Sequence, residues 1–133
     1  MDGRGVPLSL VVAGANRHDR KLLCRTLDAI VTPRPPEQQI HLCADAGYKG
    51  KAVKKEISDH GFIPHVQGRA QEKKELQETK HPARRWVVER TNSWFNRFRK
   101  LLVSFEKTEQ SFLALQSLAA ALICWRQVLT IYG

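Results

Sequence analysis

Apolar positions recur along this chain in two rhythms, and the alternation between them predicts its elements. Residues 6–13 are an apolar, β-branched run interrupted only by Ser9 and closed by Gly14, which predicts a buried strand. Residues 20–31 place Leu22, Leu23, Leu27 and Ile30 at helical spacing. Pro33, Pro35 and Pro36 make 32–39 a loop. A second short strand is predicted at 40–44, a turn at 45–50 and a short amphipathic helix at 51–60, ended by Gly61. Residues 62–66 predict a third strand, with Pro64 marking it as an edge.

The pattern then changes. Residues 67–82 hold a single large apolar residue, Leu76, and predict a solvated, mobile basic linker. A strong helical pattern covers 84–100, a connector 101–107, and a long apolar helix 109–132, expected to be the best-buried element. Strands alternating with helices predict an α/β fold: a short mixed sheet flanked by helices, closed by the long C-terminal helix.

Composition narrows the function. The chain has 133 residues, 42% of them hydrophobic, which suits one globular domain or part of one. Its formal net charge of +9 fits a polyanionic partner, DNA or RNA before an anionic membrane surface. Eleven of the twenty-two Lys and Arg residues fall in 67–107, a concentration suited to tracking phosphates. Three cysteines without a CxxC pair are the usage of a reducing cytoplasm. The most apolar stretch, 112–125, is interrupted by Gln116 and Ser117 and too short to span a bilayer, so a soluble cytoplasmic protein is expected. The five histidines are scattered along the chain, and no His-based zinc site is expected from their spacing.

Two carboxylates are the candidate chemistry. Asp45 directly follows a predicted strand, at the carboxyl end of the sheet, where open α/β sheets build their sites. An Asp there also caps the turn that follows, and both readings stand. On the helix from Arg84, residues Arg85, Glu89, Asn92, Asn96 and Lys100 share one face. Val87, Val88, Trp94, Phe95, Phe98, Leu101 and Leu102 fall toward a core. Glu89 is the one acid between Pro82 and Phe105, among six cations. It is either a solvated residue paired with Arg85 or Arg90, or a metal ligand ringed by phosphate-binding side chains. Trp94 projects to the core, while Trp86 lies at the border and is the better candidate for exposure.

Four stretches carry a resemblance. They are Gly3-Arg4-Gly5-Val6-Pro7-Leu8-Ser9, Gly14-Ala15-Asn16-Arg17-His18-Asp19, Cys43-Ala44-Asp45-Ala46-Gly47-Tyr48, and the block running Arg85-Trp86-Val87-Val88-Glu89-Arg90-Thr91-Asn92-Ser93-Trp94-Phe95-Asn96-Arg97-Phe98-Arg99-Lys100. Together they resemble bacterial insertion-sequence transposases of the DDE type, over essentially the whole chain. The resemblance implies a ribonuclease-H-like catalytic domain with an Asp-Asp-Glu triad and two Mg²⁺ (or Mn²⁺) ions, acting on DNA. Asp45 then matches the second Asp, Glu89 the Glu, and Arg85 an Arg four residues before it. Arg85, Arg90, Arg97 and Lys100 become candidate DNA contacts. Where the wider family has a Tyr before that Arg and a Lys after the Glu, this chain has Pro82 and Asn96.

The family's first Asp lies on an earlier strand, upstream of residues 6–13, and Asp2 is no substitute for it. Residues 1–133 are therefore expected to be the C-terminal part of an incomplete catalytic domain, from a frameshifted element or a decayed one. Such a chain would be inactive alone. Its partners would be element ends, target DNA, an upstream-frame polypeptide supplying the first Asp, and further copies of itself; no membrane is expected. The rival reading is a non-catalytic basic nucleic-acid-binding protein.

Overall fold

The computed structural model describes residues 1–14, 16–33, 37–66, 85–103 and 106–133. The expected linker at 67–82 lies outside them. The chain divides into two compact units, Pro33–Ala83 and a discontinuous one made of Met1–Thr32 with Arg84–Gly133.

The first is a βαβ unit. Strand β1 (His41–Ala44) pairs in parallel with β2 (Ile63–Val66), His41 opposite Ile63 and Ala44 opposite Val66, through helix α2 (Lys51–Asp59). Parallel neighbours need such a crossover, and the predicted strand, helix, strand order supplies it. Val53 and Ile57, one helical turn apart, are fully buried and form the core with Phe62 and Val66. The end of α2 is specified residue by residue. Gly61 takes φ 74° and donates to the Ser58 carbonyl, while Phe62 donates to the Ile57 carbonyl and packs in the same core. That turn launches β2. Ile63 donates to the Ile40 carbonyl at 2.9 Å, so the alternate Pro64 nitrogen faces away from β1 and its missing N–H removes no ladder bond.

The second unit holds a 3₁₀ turn (Asp19–Leu22), α1 (Leu23–Asp28), α3 (Arg85–Asn96), α4 (Arg99–Leu102) and α5 (Glu109–Tyr132). Leu23 and Leu27 of α1, Val87 and Thr91 of α3, and Ala119 and Ile123 of α5 are its buried residues, joined by Gly5. Thr108 caps α5, its hydroxyl oxygen accepting from the Ser111 N–H at 3.1 Å.

Four expectations are corrected here. Residues 6–13 form no strand: among the described residues the sheet has two strands, both parallel, rather than a mixed set. Apolar, β-branched composition reports fit to a half-buried surface rather than a ladder partner. This run is half buried, and its Pro7 carbonyl accepts from the Cys124 thiol of α5 at 3.8 Å. The helix expected at 20–31 is shorter and opens as a 3₁₀ turn, since only Leu23 and Leu27 find burial. The helix expected at 84–100 breaks after Asn96. No Gly or Pro enforces the break; Phe98 leaves the helical region at ψ 96° and, with Leu101, lines an apolar depression against Leu115, Leu118 and Leu122, so packing overrides propensity.

The fourth correction concerns α5, which is the longest element but not the best buried. Two of its residues are buried, while Leu118, Trp125 and Tyr132 are 60%, 61% and 84% exposed. It is also long and apolar enough, by length and composition, to cross a membrane, because the helix continues past Trp125 to Tyr132.

Candidate metal and phosphate-binding residues

Asp45 stands one residue beyond the end of β1 and is exposed. Its Oδ1 accepts from the Gly47 N–H at 2.9 Å, and its carbonyl accepts from the Tyr48 N–H at 3.1 Å, closing a 3₁₀ turn over Ala46–Tyr48. This is the turn-capping reading realised in full. A Cβ at Gly47 would sit 3.1 Å from Asp45 Oδ1, so a larger residue there would press on the capping carboxylate. Capping uses one lone pair of a group that offers about four. The carboxylate keeps hard oxygen donors at the carboxyl end of a parallel strand, a donor set that suits Mg²⁺.

Glu89 belongs to the other unit, at the middle of α3, and is exposed. The opposite face of the helix is anchored. Thr91 is 3% exposed, and its hydroxyl donates to the Gly5 carbonyl at 2.6 Å, with the Val87 carbonyl 3.1 Å away. Gly5 is buried at φ 91°, where an added Cβ would meet Thr91 Oγ1 at 3.0 Å. The turn carrying Gly5 is built by Asp2, whose Oδ1 accepts from Arg4 and Val6 N–H, both at 2.8 Å. Residues 87 and 91 lie about 160° around the helix from 89, so docking this turn fixes Glu89 outward. A carboxylate in that position also offers the oxygen donors Mg²⁺ prefers.

Arg90 lies over Trp86, its guanidinium carbon 4.4 Å from the ring centroid, and 5.9 Å from that of Trp94. It also donates to the Arg4 carbonyl at 3.4 Å. Arg90 is thus engaged by a cation–π contact within its own helix and by a hydrogen bond to the amino-terminal turn, rather than by Glu89. Arg97 is exposed in the turn after α3, and Lys100 is exposed on α4. The break at Phe98 removes Lys100 from the helical phase of Glu89. Arg85 opens α3. Asn92 and Asn96 are exposed as expected, Trp86 is 47% exposed and Trp94 half buried. Val88 and Leu102, expected inside, are exposed, because the buried stripe runs through Val87 and Thr91 instead.

Two groups near this turn are perturbed. Burial pushes the Cys124 thiol up, and the neighbouring Asp2 charge adds to it, against a smaller opposing backbone hydrogen bond. Burial likewise lowers the Met1 amine, with Asp2 opposing. Among the described residues no three His, Cys, Asp or Glu side chains converge as a metal cluster.

Sequence reasoning missed Asp2, Gly5 and Thr91. A Thr four residues after Val87, in a helix whose other polar residues face outward, is the signal that could have found Thr91.

An exposed Asp just past a parallel strand and an exposed Glu on a cation-rich helix are thus the acidic groups that this α/β chain presents at the two candidate positions. The family follows from comparison: the transposase DDE domain model matches residues 1–124, and the chain belongs to that family. It is 32% identical over 133 aligned residues to a transposase for insertion sequence element IS402 from Burkholderia cepacia. That alignment covers 93% of this chain and 59% of the relative, so the chain spans about three-fifths of the relative's length. No solved structure matches the chain.

Proposed function

We propose that this chain is the C-terminal part of a ribonuclease-H-like DDE catalytic domain, and that the complete protein cleaves and transfers DNA strands during transposition. The observation that carries the reading is the family match over residues 1–124, falling on a chain whose strand-end Asp45 and helix-borne Glu89 are both exposed. Asp45 and Glu89 would hold Mg²⁺ or Mn²⁺. When bound, such ions stabilise the attacking and leaving oxygens of an in-line displacement at phosphorus. Arg85, Arg97 and Lys100 bind the DNA backbone, and Arg90 does so while clasped to Trp86. Thr91 and Gly5 hold the helix so that Glu89 faces away from its own core. The protein works in the cytoplasm as a soluble, DNA-bound oligomer.

The first carboxylate of the triad is supplied by a preceding segment or by an upstream-frame polypeptide. Residues 1–133 alone are therefore expected to bind DNA, with strong salt dependence, and to leave it uncut. A nicking assay on supercoiled plasmid with Mg²⁺ and Mn²⁺ tests this. Nicking by the purified chain that disappears in Asp45→Ala would sink the claim of inactivity. A longer polypeptide carrying the preceding strand should nick DNA and lose that activity in Asp45→Asn and in Glu89→Gln. If it cuts equally well in both, the ligand assignment is wrong.

A further inference from the structure

Strand β1 alternates in exposure, with His41 and Cys43 exposed and Leu42 and Ala44 partly covered. The parallel register sets Cys43 opposite His65 of β2, so His41, Cys43 and His65 share one face of the sheet. On that face the two imidazoles meet: His41 Nδ1 is 2.6 Å from His65 Nε2, with ring centroids 4.8 Å apart and the rings tilted by 33°. They are twenty-four residues apart in sequence, which is why spacing along the chain gives no sign of a site.

We propose that His41 and His65 form a two-imidazole site for a divalent transition-metal cation of the Zn²⁺ or Ni²⁺ class. At 2.6 Å the two nitrogens can only share a proton, one ring donating and the other presenting its lone pair. A borderline cation displaces that proton, which passes through water to the other nitrogen of the donating ring, so both imidazoles stay neutral and each gives one lone pair, as imidazole suits Zn²⁺, Cu²⁺ and Ni²⁺. Two nitrogens on a tetrahedral Zn²⁺ at about 2.0–2.1 Å lie about 3.3 Å apart, so the rings must separate by roughly 0.7 Å. His41 is exposed, and small rotations of its side chain can supply that movement. The two donors stand on neighbouring strands of one ladder, so little ordering remains to be done on binding. The site differs in kind from the carboxylates at Asp45 and Glu89, because hard Mg²⁺ prefers oxygen and leaves imidazole to softer cations.

The full chain titrated with ZnCl₂ or NiCl₂ by calorimetry, in a non-chelating buffer at neutral pH, should bind one equivalent. Replacing either ligand, His41→Asn or His65→Asn, should weaken binding at least tenfold while the circular dichroism spectrum is kept. Cys43→Ser and His18→Asn should leave affinity within about twofold. Loss in Cys43→Ser as large as in the histidine variants overturns the proposal, since the site would then be centred on a thiolate. The unaltered chain offers a check that needs no variant: millimolar Mg²⁺ should not displace the bound Zn²⁺. Displacement by Mg²⁺, or absence of any one-equivalent binding, also overturns it.

Discussion

The two carboxylates are held by different means, one local and one distant. Asp45 is fixed within its own turn, by Gly47 and Tyr48 two and three residues on. Glu89 is fixed by what its helix docks against, through contacts that join residues eighty-six positions apart, Thr91 to Gly5 and Arg90 to Arg4. A local device survives almost any change elsewhere in the chain. A distant one holds only while the amino-terminal turn stays in place. The difference teaches that the helix block carrying Glu89, the most distinctive part of the sequence, is not self-sufficient: its orientation is stored in Asp2, Gly5 and Thr91.

The largest effect should come from breaking the distant device. Thr91→Val keeps the volume and removes the hydroxyl, leaving the buried Gly5 carbonyl without its donor at a cost of about 1–3 kcal/mol. Denaturant unfolding of the variant should show that loss. An unchanged midpoint would mean the turn does not anchor α3.

The carboxylates themselves should separate next. Asp45→Ala loses a turn cap and should cost about 0.5–1.5 kcal/mol, while Glu89→Gln, on an exposed helix face, should stay within about 0.5 kcal/mol of the parent. Equal costs in thermal unfolding would erase the contrast between the two.

The smallest effect concerns reactivity. Burial and Asp2 hold the Cys124 thiol neutral, and thiolate is the reactive form, so iodoacetamide near neutral pH should modify exposed Cys43 ahead of Cys124. Peptide mass spectrometry over a time course gives the order, and Cys124 reacting first would contradict it. Raising the pH toward the thiol's elevated pKa should bring Cys124 forward, because its thiolate population grows only there.

The sequence was most legible where structure is set over short distances. The crossover from β1 through α2 to β2 follows from two short apolar runs, Gly61 and the Val53–Ile57 spacing, and among the described residues β2 is an edge, as Pro64 predicts. Helix α5 begins and ends where its pattern does. What failed depended on distant partners. Residues 6–13 have strand composition, but composition names no ladder neighbour. The apolar face of α5 invited a burial that the described residues supply only at Ala119 and Ile123. The break at Phe98 answers to a depression formed with α5 rather than to any local breaker. Of the candidate site, the sequence placed Asp45 at a strand end and Glu89 on an exposed helix face, and both stand there. It offered Arg85 or Arg90 as alternative partners for Glu89 without foreseeing Arg90 over Trp86, and it could not see His41 meet His65, since that contact exists only in the strand register.

The division of the chain into a contiguous unit and a discontinuous one also bears on the order of folding. The Pro33–Ala83 unit closes β1 onto β2 across twenty-two positions, His41 to Ile63. The other unit must bring Gly5 to Thr91 across eighty-six. Two doublings of loop length add about 1.2 kcal/mol of closure entropy, and barriers rise with the sequence separation of the contacts to be made. The more local contacts of the βαβ unit are therefore expected to form first. Asp45 needs only its own turn to be placed, whereas the orientation of Glu89 waits on a contact made across eighty-six positions.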